Sequence, residues 1–276
     1  MTDIKIIALD LDGTLLNSRK ELSCENYLAL EQAAAKGIEI VPTTGRFYDA
    51  MPQAIRELPF VNYVITINGA LIYDKRRDAA ISRAEIPLAQ AVQIMEFLDT
   101  LPVIYDCFMG GAAWMSKQLQ ERAAEFAPNI HYRKMLLELR RPVDELKAFI
   151  QTQGNDIQKI QFFVKDLALR KQMLQQLPVT FPETAVSTSI ENNVEINNRH
   201  ANKGEALHTL ARYLGIDPAC TMAMGDERND LTMIRAAGIG VAMGNAHPSV
   251  KAQADFVTQS CDEDGVAFAV RRFCLQ

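Results

Sequence analysis

Ile4 to Leu9 form an apolar run broken only by Lys5, and the run stops abruptly at Asp10-Leu11-Asp12-Gly13-Thr14. A segment this short and this continuously apolar reads as a strand buried on both faces, the kind found inside parallel sheets. Helical spacing follows over Glu25 to Lys36 (Leu28, Ala29, Ala33) with Gly37 as a stop, and Ile38 to Val41 gives a second buried strand, completing a βαβ unit. A helix is expected after Gly45-Arg46, and a third strand over Tyr63 to Ile67 ends at Asn68-Gly69. The other end of the chain repeats the pattern. Lys203 to Leu214 is helical, Thr221 to Met224 is a strand ending at Gly225-Asp226, and short strands follow at Ile239 to Met243 and Phe256 to Thr258. Strands alternating with helices at both termini predict an α/β fold in which one doubly wound, parallel, Rossmann-like core sheet is assembled from the two ends of the chain.

The middle differs. A helix around Leu88 to Leu98, a strand over Val103 to Phe108, a turn at Gly110-Gly111, a helix over Val143 to Gln153, a strand over Lys159 to Val164, a helix around Leu167 to Leu177 and a strand over Ala185 to Ile190 suffice for a small α/β domain of their own. The expected organisation is therefore a core made of residues 1–85 and 191–276 and an inserted α/β cap over residues 86–190. A chain of 276 residues with 48% hydrophobic content can fill two such cores.

A net charge of −5 offers no basic field for nucleic acid or an anionic membrane, so neither is expected as a partner, and the oligomeric state stays open. The apolar run after Lys5 ends at Asp10, too short for a signal peptide or a membrane span, which points to the cytoplasm. Five scattered cysteines without a C-x-x-C pair suggest small buried hydrophobes in a reducing compartment rather than disulfides or zinc. The four histidines show no ligand spacing.

In open α/β sheets ligands sit beyond the carboxyl ends of the strands. Two such ends carry carboxylates here: Asp10 and Asp12 on the first strand, and Asp226, followed by Asn229 and Asp230, near the other terminus. Alone, Asp-x-Asp-Gly-Thr is equally a solvated turn. Two separated carboxylate clusters at equivalent strand ends, however, repel unless a cation lies between them, and an all-oxygen donor set favours Mg2+. A carboxylate-bound cation suits a phosphate. Thr44-Gly45, read as a hydroxyl and free amides at a helix start, and Lys203 supply the rest of an anion site, although alone the first is equally a helix cap and the lysine a plain surface charge that gains meaning only from its companions.

Asp10-Leu11-Asp12-Gly13-Thr14-Leu15, Thr44-Gly45-Arg46, Lys203 and Gly225-Asp226-x-x-Asn229-Asp230 resemble the four ordered motifs of the haloacid dehalogenase superfamily. Asn68-Gly69-Ala70, Val241 to Ala246 and Asp264-Gly265-Val266-Ala267 resemble its Cof-like sugar-phosphatase branch (subfamily IIB), whose cap is inserted between the second and third motifs. The resemblance implies a magnesium-dependent hydrolase of small phosphorylated metabolites. Asp10 would be the nucleophile that forms an aspartyl phosphate, and Asp12 the general acid and then base. Mg2+ would be held by Asp10, the backbone carbonyl of Asp12 and Asp226, with Asp230 behind them. The Leu11 amide, Thr44, Gly45, Lys203 and Asn229 would cradle the phosphoryl group, with Arg46 and Asn68 as candidate substrate contacts. The cap would close as a lid, with Trp114, His131, Asn192 and Asn193 as further candidates, each at least as readily a structural position. A phosphotransferase or sugar phosphomutase on the same fold, and a non-catalytic phosphometabolite sensor, are the alternatives that these motifs leave open.

Overall fold

A computed structural model describes residues 3–127 and 129–275, with the side chains of 131, 132 and 135 outside the description. The chain divides into two compact units. The first comprises residues 1–46, 51–83 and 202–276. Its five-stranded parallel sheet runs in the order Phe256–Val257, Ile239–Ala242, Thr221–Gly225, Ile6–Leu9, Glu39–Pro42. Ile6–Leu9, the run that opens the sequence, is thus the strand from which the order departs in both directions, the point at which such sheets bind ligands.

Period-two alternation explains why that strand is apolar throughout. Ile6 and Ala8 pack with Val41 and Ala223 against Ala206, Leu207, Leu210 and Ala211 of the helix Lys203–Leu214 and Met233 of Leu231–Ala236. Ile7 and Leu9 point the other way and are equally inaccessible, so both faces of the sheet are covered. A second helix pair, Cys24–Ala35 with Gly265–Cys274, packs together and is tied by the Ala267 amide, which donates to Asn26 Oδ1 at 2.9 Å. Thr43 bridges in parallel to Ile65 and attaches a three-stranded antiparallel flap, Tyr63–Thr66, Leu71–Asp74 and Ala79–Arg83.

The second unit comprises residues 47–50 and 84–201. It therefore runs past position 190. The strand Asn193–Asn198, which the sequence alone assigns to the core segments, pairs antiparallel with both Thr184–Ser187 and Lys159–Val164. The six-stranded sheet is completed by Val103–Met109, Ala112–Ser116 and Arg140–Val143. One face buries Val103, Tyr105, Cys107, Ile160, Phe162 and Val164 in one core with residues of Leu88–Asp99, Leu146–Gln153 and Leu167–Thr180. On alternate positions Ile104 and Phe163 join Met115, Ala123, Phe126 and Leu136 in a separate cluster.

Two local expectations fail. No helix begins at Gly45-Arg46; the chain bends there, a single 3-10 turn follows at Tyr48–Ala50, and an α-helix forms over Gln53–Arg56. Pro52 disfavours the helical region for Met51 and serves as the cap of that later helix. The helix expected from Val143 starts at Leu146, because Arg140–Val143 is instead drawn into the sheet beside Ala113 to Ser116.

Candidate functional site

The register of the parallel sheet sets the site. Leu9 lies opposite Met224 on one side and Pro42 on the other, so Asp10, Gly225-Asp226 and Thr43-Thr44 leave the sheet at the same edge. The Asp10 amide donates to Met224 O at 3.0 Å, and the Thr43 amide to Leu9 O at 2.7 Å, which holds the three exits in line.

Asp10, Asp226 and Asp230 are all buried, and each offers a carboxylate oxygen within 4.8 Å of the others. Lys203, the first residue of its helix, is inaccessible to solvent and donates from Nζ to Asp10 Oδ1 at 2.5 Å and to Asp230 Oδ1 at 2.6 Å. It is no surface charge. Asp230 Oδ2 is already committed, because it accepts from the amides of Asp226 and Glu227, both at 2.9 Å. It fixes the turn that carries Asp226 and anchors Lys203. Gly225 permits this closeness, since a Cβ there would lie 2.4 Å from Asp230 Cβ.

Asp226 is oriented by Thr14 Oγ1, which donates to its Oδ1 at 2.9 Å, and by Asn245 Nδ2, 3.4 Å from its Oδ2. Asn245 Nδ2 also donates to Gly13 O at 2.8 Å, and its Oδ1 accepts from the Cys261 amide at 2.9 Å. Neither Thr14 nor Asn245 was singled out from the sequence for a role. Both stand inside quoted motifs, and a hydroxyl or amide beside a buried carboxylate is the signal that identifies them.

Three carboxylates here share one ammonium. Burial, reinforced by the Asp230 and Asp226 charges and opposed by Lys203, pushes Asp10 up to about 7. Burial with Asp230 and Glu227 does the same to Asp226, again to about 7. Burial pulls the Lys203 ammonium down, but Asp10 and Asp230 outweigh it and hold it above its ordinary value. Three buried carboxylates crowded around one ammonium form an all-oxygen donor set into which a hard divalent cation fits.

Asp12 faces a different environment. Its carboxylate accepts from Arg46 Nε at 2.7 Å and Arg46 Nη2 at 2.8 Å, and pairs with Lys20 Nζ at 2.8 Å. Burial alone would raise it, yet these hydrogen bonds prevail and hold it down to about 2. Its side chain lies outside the cluster formed by Asp10, Asp226 and Asp230. Lys20, held with a positive φ of 63° in the loop after the acidic motif, is the partner that sequence reasoning missed.

Thr44 and Gly45 do not lie at a helix start. The Thr44 amide is already committed to Ile65 O at 2.9 Å, and Thr44 Oγ1 accepts from the Arg46 amide at 3.2 Å, so the hydroxyl rather than a free Thr44 amide is left to meet an anion. Asn229 is exposed and donates from Nδ2 to Asn68 Oδ1 at 3.2 Å. The Leu11 side chain is buried beneath the motif.

In the second unit, Trp114 packs on Phe149 with ring centroids 4.6 Å apart and donates from Nε1 to Met109 O at 3.1 Å. Asn192 Nδ2 donates to Phe126 O at 2.6 Å, and Asn193 Oδ1 accepts from the Ser189 and Ile190 amides at 2.9 Å and 3.0 Å. These are contacts that hold the unit's own loops and core. The side chain of His131 lies outside the described residues. All five cysteines are free; Cys107 and Cys261 are buried as expected, whereas Cys24 is exposed. Among the described residues no helix is long and apolar enough to cross a membrane.

The family profile described as haloacid dehalogenase-like hydrolase matches residues 7–270. Phosphatase YwpJ of Bacillus subtilis (strain 168) is 33% identical over 97% of this chain and 99% of its own length. The 5-amino-6-(5-phospho-D-ribitylamino)uracil phosphatase YcsE of the same organism is 33% identical over 99% of this chain and 97% of its own. A haloacid dehalogenase-like hydrolase from B. subtilis of known structure superposes with a TM-score of 0.80 at 32% identity, covering 98% of this chain and all of that one. Because the profile takes in both acidic segments of the site and the relatives match from end to end, the chain belongs to the haloacid dehalogenase-like hydrolase family.

Proposed function

We propose that this member of the family is a magnesium-dependent phosphatase of small phosphorylated metabolites that works through an aspartyl phosphate on Asp10. The observation that carries the reading is the placement of Asp10: a buried carboxylate at the end of the Ile6–Leu9 strand, bonded to Lys203 at 2.5 Å and within ligand distance of Asp226.

A carboxylate oxygen of Asp10 attacks phosphorus, and the new P–O bond forms as the bond to the leaving oxygen breaks. Lys203, already tied to Asp10 Oδ1, neutralises phosphoryl oxygens as they approach it, while the Thr44 hydroxyl, the backbone around Gly45 and the Asn229 amide donate to those oxygens. Asp10, Asp226 and the Asp12 carbonyl would hold Mg2+, which when bound would supply charge neutralisation on the transferring group. The leaving oxygen takes its proton from the Asp12 carboxyl. Asp12 then accepts a proton from water, whose oxygen attacks phosphorus, breaks the Asp10–phosphorus bond and frees inorganic phosphate.

Asp12 reaches its protonated state only after losing its present partners. A phosphate dianion entering beside Arg46 competes with Asp12 for that guanidinium, removes the largest stabilisation of its charge and allows the proton to bind. Substrate binding and arming of the acid are thereby linked.

The test is phosphate release from a panel of sugar phosphates, nucleotides and phosphorylated cofactors and their precursors, with magnesium or with chelator, for wild type and Asp10→Asn. The panel includes 5-amino-6-(5-phospho-D-ribitylamino)uracil, on which the YcsE relative acts. Turnover that needs magnesium and is lost in Asp10→Asn supports the reading. Activity that survives in Asp10→Asn removes the nucleophile and with it the mechanism.

A further inference from the structure

The segment Ile67-Asn68-Gly69 takes the left-handed backbone region at three successive residues, with φ of 52°, 56° and 103°. For glycine this is ordinary; for Asn it is tolerated; for a β-branched Ile it is a strained conformation that persists only where its surroundings impose it. The surroundings are the three elements that carry the anion-binding groups. The Ile67 amide donates to Arg46 O and the Asn68 amide to Thr44 O, both at 3.0 Å, so the turn grips the Thr44–Arg46 backbone at two points. Gly69 presses on the residue before Lys203: a Cβ at 69 would lie 2.5 Å from Asn202 O. Asn68 reaches the third element, accepting at Oδ1 from Asn229 Nδ2 at 3.2 Å. That same oxygen fills the space above Gly45, where a Cβ would lie 2.9 Å from it.

A primary amide nitrogen carries two hydrogens. With one given to Asn68, the Asn229 amide is fixed so that Nδ2 faces the site and its second hydrogen is left for a phosphoryl oxygen. Without that acceptor the exposed Asn229 side chain can turn over and present its carbonyl, which repels the same oxygen.

Resting on the phosphatase reading, we infer that Asn68 is a positioning residue for phosphoryl transfer, acting through Asn229 from a strained turn that spaces the Thr44–Arg46 loop, the start of the Lys203 helix and Asn229. This differs from a direct substrate contact. A contact would add its own increment, whereas a positioning residue has nothing to act through once Asn229 is gone.

The experiment is a double-mutant cycle of Asn68→Gly and Asn229→Ala, read as kcat/KM on p-nitrophenyl phosphate and, by calorimetry, as affinity for inorganic phosphate. Glycine preserves the left-handed backbone and removes the side chain with its acceptor, whereas Asn68→Asp keeps the acceptor. Asn68→Gly should lose about tenfold in kcat/KM and weaken phosphate binding, and the double variant should be no worse than Asn229→Ala alone. Thermal unfolding midpoints confirm folding, and should Asn68→Gly unfold, the cycle is run with Asn68→Asp, where retention of the acceptor predicts that Asn229→Ala still causes its full loss. Unchanged parameters in Asn68→Gly, or losses that multiply in the double variant, overturn the inference. A wild type that binds phosphate without turning any phosphate ester over defeats the phosphatase reading, and the affinities across the cycle then decide the role of Asn68. A wild type that neither binds nor hydrolyses overturns both.

Discussion

Arg46 donates to both oxygens of Asp12, from Nε at 2.7 Å and from Nη2 at 2.8 Å. This two-point grip, with Lys20 at 2.8 Å, is what keeps a half-buried carboxylate charged. In Arg46→Ala the effect of burial is opposed by Lys20 alone, and the Asp12 pKa should climb from about 2 into the ordinary carboxylate range or above it. Carbon-13 NMR titration of the Asp12 carboxyl checks this directly. A midpoint that stays where it was would show that Arg46 is not the group that holds Asp12 charged.

Lys203 stands between two carboxylates with no solvent to replace it. Removing one partner of a buried ion pair typically costs roughly 3–5 kcal/mol, because the remaining charge is uncompensated. Lys203→Met keeps the packing volume and should destabilise the metal-free protein by about that amount near neutral pH, with a smaller loss in mild acid, where Asp10 takes up a proton. Urea unfolding at the two pH values measures both. Equal losses at both would mean that the charge of Asp10 is not what Lys203 compensates.

Much of this arrangement is legible in the sequence because strand ends in a parallel sheet gather at one edge. Ile6–Leu9 and Thr221–Gly225 were recognisable as buried strands from their apolar content, and the residues that leave them were therefore expected to meet. The resemblance to ordered family motifs added Lys203, whose sequence surroundings alone read as surface. What could not be read was set by contacts distant in sequence. Lys20 and Asp12 belong to one loop, but nothing local says that the loop folds back on itself. Asn193–Asn198, Asn-Val-Glu-Ile-Asn-Asn, has only two apolar residues in six and lies beyond position 190; it joins the second unit because Phe162, Phe163 and their neighbours on Lys159–Val164 provide a ladder for it. The missing helix at Gly45 has the converse cause, since the left-handed turn at Asn68 takes the Thr44 and Arg46 carbonyls as acceptors and holds the segment bent.

The titrations of Asp10 and Asp226 give a signed pH dependence. Both carboxyls are pushed up to about 7 in the folded, metal-free protein, so between their ordinary values and that point the folded state binds more protons than the unfolded chain. The stability they contribute is full below about pH 4 and is lost as the pH rises through about 7. A bound divalent cation takes the place of those protons. The rise in unfolding temperature on adding magnesium should accordingly be small near pH 5.5 and several-fold larger near pH 8, on the order of a few degrees. Differential scanning fluorimetry with magnesium and with chelator makes the comparison, and a shift independent of pH would exclude Asp10 and Asp226 as the coupled ligands.

In the second unit, Asp106 and Arg140 form an ion pair at 2.8 Å with both side chains almost wholly inaccessible. Arg140 also lies over the Phe108 ring at 5.3 Å, so its guanidinium is packed as well as paired. Asp106→Ala strands that cation and should cost roughly 3–5 kcal/mol, whereas Asp106→Leu combined with Arg140→Met removes both charges and should recover most of the loss. Denaturant unfolding of the two variants separates the cases. Recovery in the double variant identifies the cost as that of an unpaired buried charge. A double variant as unstable as Asp106→Ala would show instead that the pair is needed for its geometry, holding the Arg140–Val143 strand against Ala112–Ser116 in a way that apolar side chains do not reproduce.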